Sequence, residues 1–104
     1  MRMILLGCYA PNAVKGIISG SDRQAAAETL LNSVGGKLVS LVFTRGEFDV
    51  VAVAELPDQN TAMGLIAAMR ASGAFSKLTV LEELDMDAVI ASAQKASKVY
   101  SPAG

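Results

Sequence analysis

Thr44-Arg45-Gly46-Glu47-Phe48-Asp49 lies where two apolar runs meet, Lys37 to Thr44 and Phe48 to Leu56, and its reading decides the fold. A short charged segment containing Gly between Val-, Leu- and Phe-rich runs is a β-hairpin signal. Strand side chains alternate between faces, so the register of this hairpin sorts every neighbouring residue. With Phe43 opposite Phe48, one face carries Val39, Leu41, Phe43, Phe48, Val50, Ala52 and Ala54. The other carries Leu38, Ser40, Val42, Thr44, Asp49, Val51, Val53 and Glu55.

Working outward, the same order of elements appears on each side of the hairpin. Met3 to Tyr9 reads as a strand, and Ala10 to Gly20 as a loop with a short helical turn over Val14 to Ile18. Ser21 and Gln24 have capping-box spacing, and Ala26, Leu30, Leu31 and Val34 recur at helical intervals until Gly35-Gly36. After the hairpin, Pro57-Asp58 opens a helix with an Ala62, Leu65, Ile66 and Met69 stripe, which Gly73 ends. Lys77 to Leu84 reads as the fourth strand. Asp85 or Asp87 starts a last helix bearing Met86, Val89, Ile90 and Ala93, and a tail follows from Tyr100 to Gly104. This order predicts an α+β fold, the ferredoxin-like split βαββαβ with a four-stranded antiparallel sheet and an extra C-terminal helix. It is read as one domain over 1–104, with its core at about 3–84 and the helix and tail at 85–104.

Composition narrows the function classes. Of 104 residues, 52% are apolar or aromatic and nine more are Gly, an excess that has to be buried somewhere. No apolar run approaches the ~20 residues that span a bilayer, and the N-terminus lacks a leader pattern, so a soluble, cytoplasmic protein is expected without a membrane partner. A net charge of −1 without a Lys/Arg cluster argues against nucleic acid. One Cys and no His argue against a disulfide within the chain, a His-based acid/base pair and an ordinary zinc or haem-histidine site, so neither metal nor cofactor is expected.

Helices are expected over the Val50, Ala52 and Ala54 face. The opposite face is mixed at its edges but apolar at its centre, and outer-strand residues such as Val80 or Leu81 add to it. Left in water it would exceed the apolar patch most monomers carry. A homodimer packed sheet against sheet is therefore expected.

The same topology brings Tyr9, Arg23 and Asp49 toward one edge of the sheet. Arg23 would hold a carboxylate or phosphate, Tyr9 would donate a hydrogen bond, and Asp49 would act as a base or orient Arg23, with Ser40, Lys15 and Glu47 nearby. Tyr9, Arg23, Ser40 and Asp49 are thus the ligand-binding candidates, and no catalytic residue is identified. The blander reading makes Arg23 and Asp49 an ion pair that ties helix to hairpin. Asp49 and Glu55 stand about 20 Å apart along one strand, too far for a carboxylate dyad within a subunit. Cys8, in mid-strand, reads as an inert thiol. Gly35-Gly36-Lys37 follows a helix rather than opening one, so it is a C-cap and not a phosphate loop.

Tyr9, Gly16-Ile17, Arg23, Gly35-Gly36-Lys37-Leu38, Gly46-Glu47-Phe48-Asp49-Val50-Val51, Glu55 and Pro57-Asp58 together resemble the GYD domain family, small bacterial and archaeal proteins. The resemblance runs from Leu5 to about Glu83. It implies a place among the dimeric α/β barrels and a homodimer, and it carries no reaction, substrate or catalytic residue. The motif that names the family has Tyr where this chain has Phe48, and the register above turns Phe48 toward the helices, where it would pack.

Three functions follow as expectations. The first is a homodimeric module that binds a small ligand or a partner. The alternative is a cofactor-independent enzyme of monooxygenase or isomerase type acting on a small apolar substrate; it would need an apolar cavity with Tyr9, Arg23 or Asp49 turned into it. The third is a regulatory protein that docks through its last helix.

Overall fold

The structure, a computed structural model, describes residues 1–100; residues 101–104, which hold most of the expected tail, lie outside the described residues. Eight elements follow in order: β1 (Arg2–Tyr9), α1 (Pro11–Ile18), α2 (Arg23–Ser33), β2 (Lys37–Phe43), β3 (Val50–Glu55), α3 (Gln59–Ala71), β4 (Phe75–Glu82) and α4 (Met86–Ser97). The strands form one antiparallel sheet in the order β2-β3-β1-β4, as a ferredoxin-like split requires. This single sheet is open and does not close into a barrel.

Helix starts follow local chemistry. Asp22, Asp58 and Asp85 sit at the N-caps of α2, α3 and α4, and each carboxylate accepts from a backbone N–H three residues on, at 3.0, 2.7 and 3.2 Å. The expected Ser21 cap therefore belongs to Asp22 instead. Pro11, read as part of a loop, occupies the first turn of α1, where its fixed φ suits a helix and its missing N–H costs nothing. Gly35 closes α2 at φ +75°, a conformation that favours glycine, and Gly36 N–H returns to the Leu31 carbonyl at 2.8 Å.

The hairpin loop is longer than expected. Phe43 pairs with Val50 rather than Phe48, and Thr44 N–H reaches the Asp49 carbonyl at 2.8 Å to close the loop. A slip of two residues preserves parity, so Ala52 and Ala54 face the helices as expected. Phe48 does not: the Lys77 ammonium stands 5.2 Å from its ring centroid, and Lys77 pairs with Cys8 on the face away from the helices.

A β-bulge corrects the second strand. Leu38 pairs with Ala54 and Ser40 with Val53, leaving Val39 as an extra residue. Leu38 thereby shares the helix-facing side with Leu41, while Val39 is exposed.

Met3, Leu5, Ala54, Leu31, Leu56, Ala62, Leu65 and Ile66 make up the core cluster. Ala62, Leu65 and Ile66 recur at helical spacing and seat α3 on the sheet. α2 is seated less completely, with Leu31 as its one buried residue. The other face of the sheet carries Ile4, Leu6, Val51 and Val53, all half-buried, with Val42 and Leu81 exposed at its flanks. No residue of α4 is buried. The radius of gyration is 17.7 Å, against ~13 Å for a compact chain of this length, and the long axis is 64 Å. α4 therefore extends beyond the body, with Met86, Val89 and Ile90 in contact with solvent.

Candidate functional site

Small side chains create the main cavity. Ala52 on β3, Ala26 and Ala27 on α2 and Ala68 on α3 meet where larger residues would normally interlock, while at one end the space over Gly7 on β1 is taken by Phe75 and Val50. A space of about 330 Å³ results between the sheet and α2 and α3, within the range of ligand pockets. Leu30, Leu38, Leu41, Leu65 and Met69 also line it. The α2 stripe that reads as core in the sequence therefore forms in part a cavity roof.

Polar groups enter this wall at the end of the sheet where β1 stops. Tyr9 stacks on Phe75, with ring centroids 5.4 Å apart and planes inclined by 24°. Burial pushes its phenol above the usual value; the Arg23 charge opposes that rise and Asp49 adds to it. Tyr9 is thus a protonated hydrogen-bond donor at neutral pH. Arg23, the first residue of α2, also lines the cavity. Its Nη2 donates to Ser21 Oγ, and its buried Nε finds no acceptor among the described residues.

The other candidates divide. Asp49 is exposed and off the cavity wall; its Oδ2 accepts the Tyr9 backbone N–H at 2.9 Å, and its own N–H donates to the Gly7 carbonyl at 2.8 Å. It therefore fixes the end of β1 and brings its charge near the Tyr9 phenol. Ser40 is exposed and pairs with Val53 on the opposite face, away from the cavity. The Arg23–Asp49 ion pair of the blander reading is not formed: among the described residues the pairs are Arg2 with Glu55 and Glu83, and Lys77 with Glu47. Cys8 Sγ donates to the Glu47 carbonyl at 3.1 Å. No group of three or more potential metal ligands occurs among the described residues. Among them, too, no helix is long and apolar enough to cross a membrane.

Sequence reasoning placed Tyr9 and Arg23 at this edge of the sheet and allowed an apolar cavity beside them, but it did not name the small residues that line it. The available signal was the recurrence of Ala at positions facing one another across α2, α3 and β3.

No curated protein matches the chain. The sequence profile of the GYD domain matches residues 3–93, which extends past the resembling region into most of α4. With an open four-stranded sheet and the hairpin motif in place, a match over that span shows that the chain belongs to the GYD domain family.

Proposed function

We propose that the protein is a homodimeric module that binds a small, largely apolar ligand between its sheet and helices α2 and α3. The observation that carries this reading is the cavity itself: about 330 Å³ lined by Ala in a region a core would otherwise fill. Unfilled apolar volume costs stability, on the order of 24 cal/mol per Å³ in cores, so a ligand that filled it would gain that contact. Binding suits the wall better than turnover does. Tyr9 is held protonated, and the nearest carboxylate, Asp49, lies off the wall and serves the Tyr9 backbone.

Dimerisation addresses the other surface. Ile4, Leu6, Val51 and Val53 at the centre of the free sheet face need cover, and a second copy presents the same apolar surface about a two-fold axis. A lone cysteine in no disulfide suits a reducing compartment, and we place the protein in the cytoplasm.

Native mass spectrometry of freshly purified protein tests both parts. A dimer with reproducible added mass is expected. A bare dimer would move the function to partner binding, and a bare monomer at micromolar concentration would refute both parts.

A further inference from the structure

Arg23 is the sole cation in a wall otherwise built mainly of Leu, Ala, Val, Met and Phe. A guanidinium beside apolar surface normally meets a carboxylate, because an unpaired charge or N–H there is costly. Here Nε is buried without an acceptor among the described residues. Asp49 accepts Tyr9 N–H through Oδ2 and Asp22 accepts Ala25 N–H through Oδ1, and among the described residues neither forms an ion pair with Arg23. Arg23 also opens α2, where the helix dipole is positive and the Asp22 N-cap is the adjacent acid. Among the described residues Ser21 Oγ is the one hydrogen-bond acceptor of its guanidinium and no ion pair forms, while Arg23 itself lines the cavity.

From this placement we infer that the ligand is a carboxylate with an apolar body, its carboxylate held by Arg23 and its body lying over Leu41, Ala52 and Leu65. The inference rests on the ligand-cavity reading and adds the chemical class. One guanidinium matches one negative charge, and its planar fork suits the two oxygens of a carboxylate. A phosphate monoester would bring a second charge into a wall with no other cation to receive it. The Tyr9 hydroxyl supplies a further donor at the same end, and the Tyr9–Phe75 stack gives a ring or short chain a flat surface. A volume near the lower end of ligand pockets selects a compact body, one ring with a short chain rather than a long acyl tail.

The test is an ¹⁵N NMR titration of the full chain with ω-phenylalkanoic acids from phenylacetate to 6-phenylhexanoate, each paired with its primary amide. At least one acid should shift the Gly7 and Ala52 amides and the Arg23 Nε–Hε resonance. Its amide should bind about 10- to 100-fold more weakly, the usual difference on losing a charge-assisted contact. Arg23→Gln should reduce acid binding to the level of the amide, while Ala68→Phe, which fills the cavity, should abolish both. An amide that binds as well as its acid, or acid binding unchanged in Arg23→Gln, overturns the carboxylate assignment and leaves the cavity reading standing. Tighter binding of benzylphosphonate than of any carboxylate also overturns it. If no acid or amide moves any cavity resonance, the carboxylate assignment and the cavity reading fall together.

Discussion

Gly7→Ala is the sharpest probe of how the cavity end is built. A methyl at this position would lie 2.9 and 3.0 Å from Phe75 Cε1 and Cδ1 and 3.2 Å from Val50 Cγ1. Carbon atoms rest at about 3.5 to 4.0 Å, so the Phe75 ring must retreat by roughly 0.5 to 1 Å. Overpacking of this kind costs about 1 to 3 kcal/mol, and disturbing the Tyr9–Phe75 stack adds up to ~0.5 to 1.5 kcal/mol. Gly7 has no positive φ, so alanine recovers about 0.4 to 1 kcal/mol through the unfolded chain. The net loss expected is about 1 to 3 kcal/mol. Urea unfolding at one fixed protein concentration, which removes mass-action differences between variants, should show a midpoint lowered by roughly 1 to 2 M. Phe75→Leu removes the obstructing ring, so adding Gly7→Ala to it should cost at least ~1 kcal/mol less than in the parent. A loss below ~0.5 kcal/mol, or no coupling to Phe75, would refute the close packing of this ring on the glycine.

Val53→Asp places a charge at the centre of the free sheet face; light scattering should show a monomer at concentrations where the parent is a dimer, and a parent that is itself monomeric would refute the assembly. Truncation after Glu83 removes a helix with no buried residue, so the unfolding free energy of the Val53→Asp background should change by less than ~0.5 kcal/mol. Tyr9 has a folded pKa raised above its unfolded value of 10.0, so its contribution to stability is whole below pH 10 and is lost as pH rises through the folded pKa. Tyr9→Phe should therefore flatten the alkaline fall in melting temperature, and an unchanged alkaline slope would refute the burial of the phenol.

The hairpin, the α3 stripe and the caps at Asp58 and Asp85 were legible because each is a local pattern, whereas the α2 cap expected at Ser21 falls one residue later, on Asp22. Ala62, Leu65 and Ile66 can face together only on a helix, and Asp58 before them can only start it. Val39 was not legible: a single extra residue is silent in the alternation of KLVSLVF, yet it turns Leu38 inward to the cavity side. α1 was only half legible: a helical turn was read over Val14 to Ile18, but Pro11 and Gly16 usually mark loops, although Pro in a first turn favours a helix. At the site, topology brought Tyr9, Arg23 and Asp49 to one end of the sheet, but the partner of Arg23 depends on side-chain reach. Asp49 meets a backbone N–H instead, which spacing alone does not reveal. An apolar cavity was expected, but its Ala lining and its volume were not legible, because Ala on a helix reads first as helix propensity and empty volume appears only when facing elements are brought together.

β2 lies at a sheet edge, and its run Lys37–Phe43 is of the apolar, weakly charged kind from which cross-β fibrils grow. The bulge at Val39 interrupts the regular row of backbone donors and acceptors that a second edge would have to match. The extra residue therefore acts as a guard against templated aggregation as well as steering Leu38. It lets an edge strand remain this hydrophobic while leaving the broad face of the sheet, rather than its margin, as the favoured ground for self-recognition.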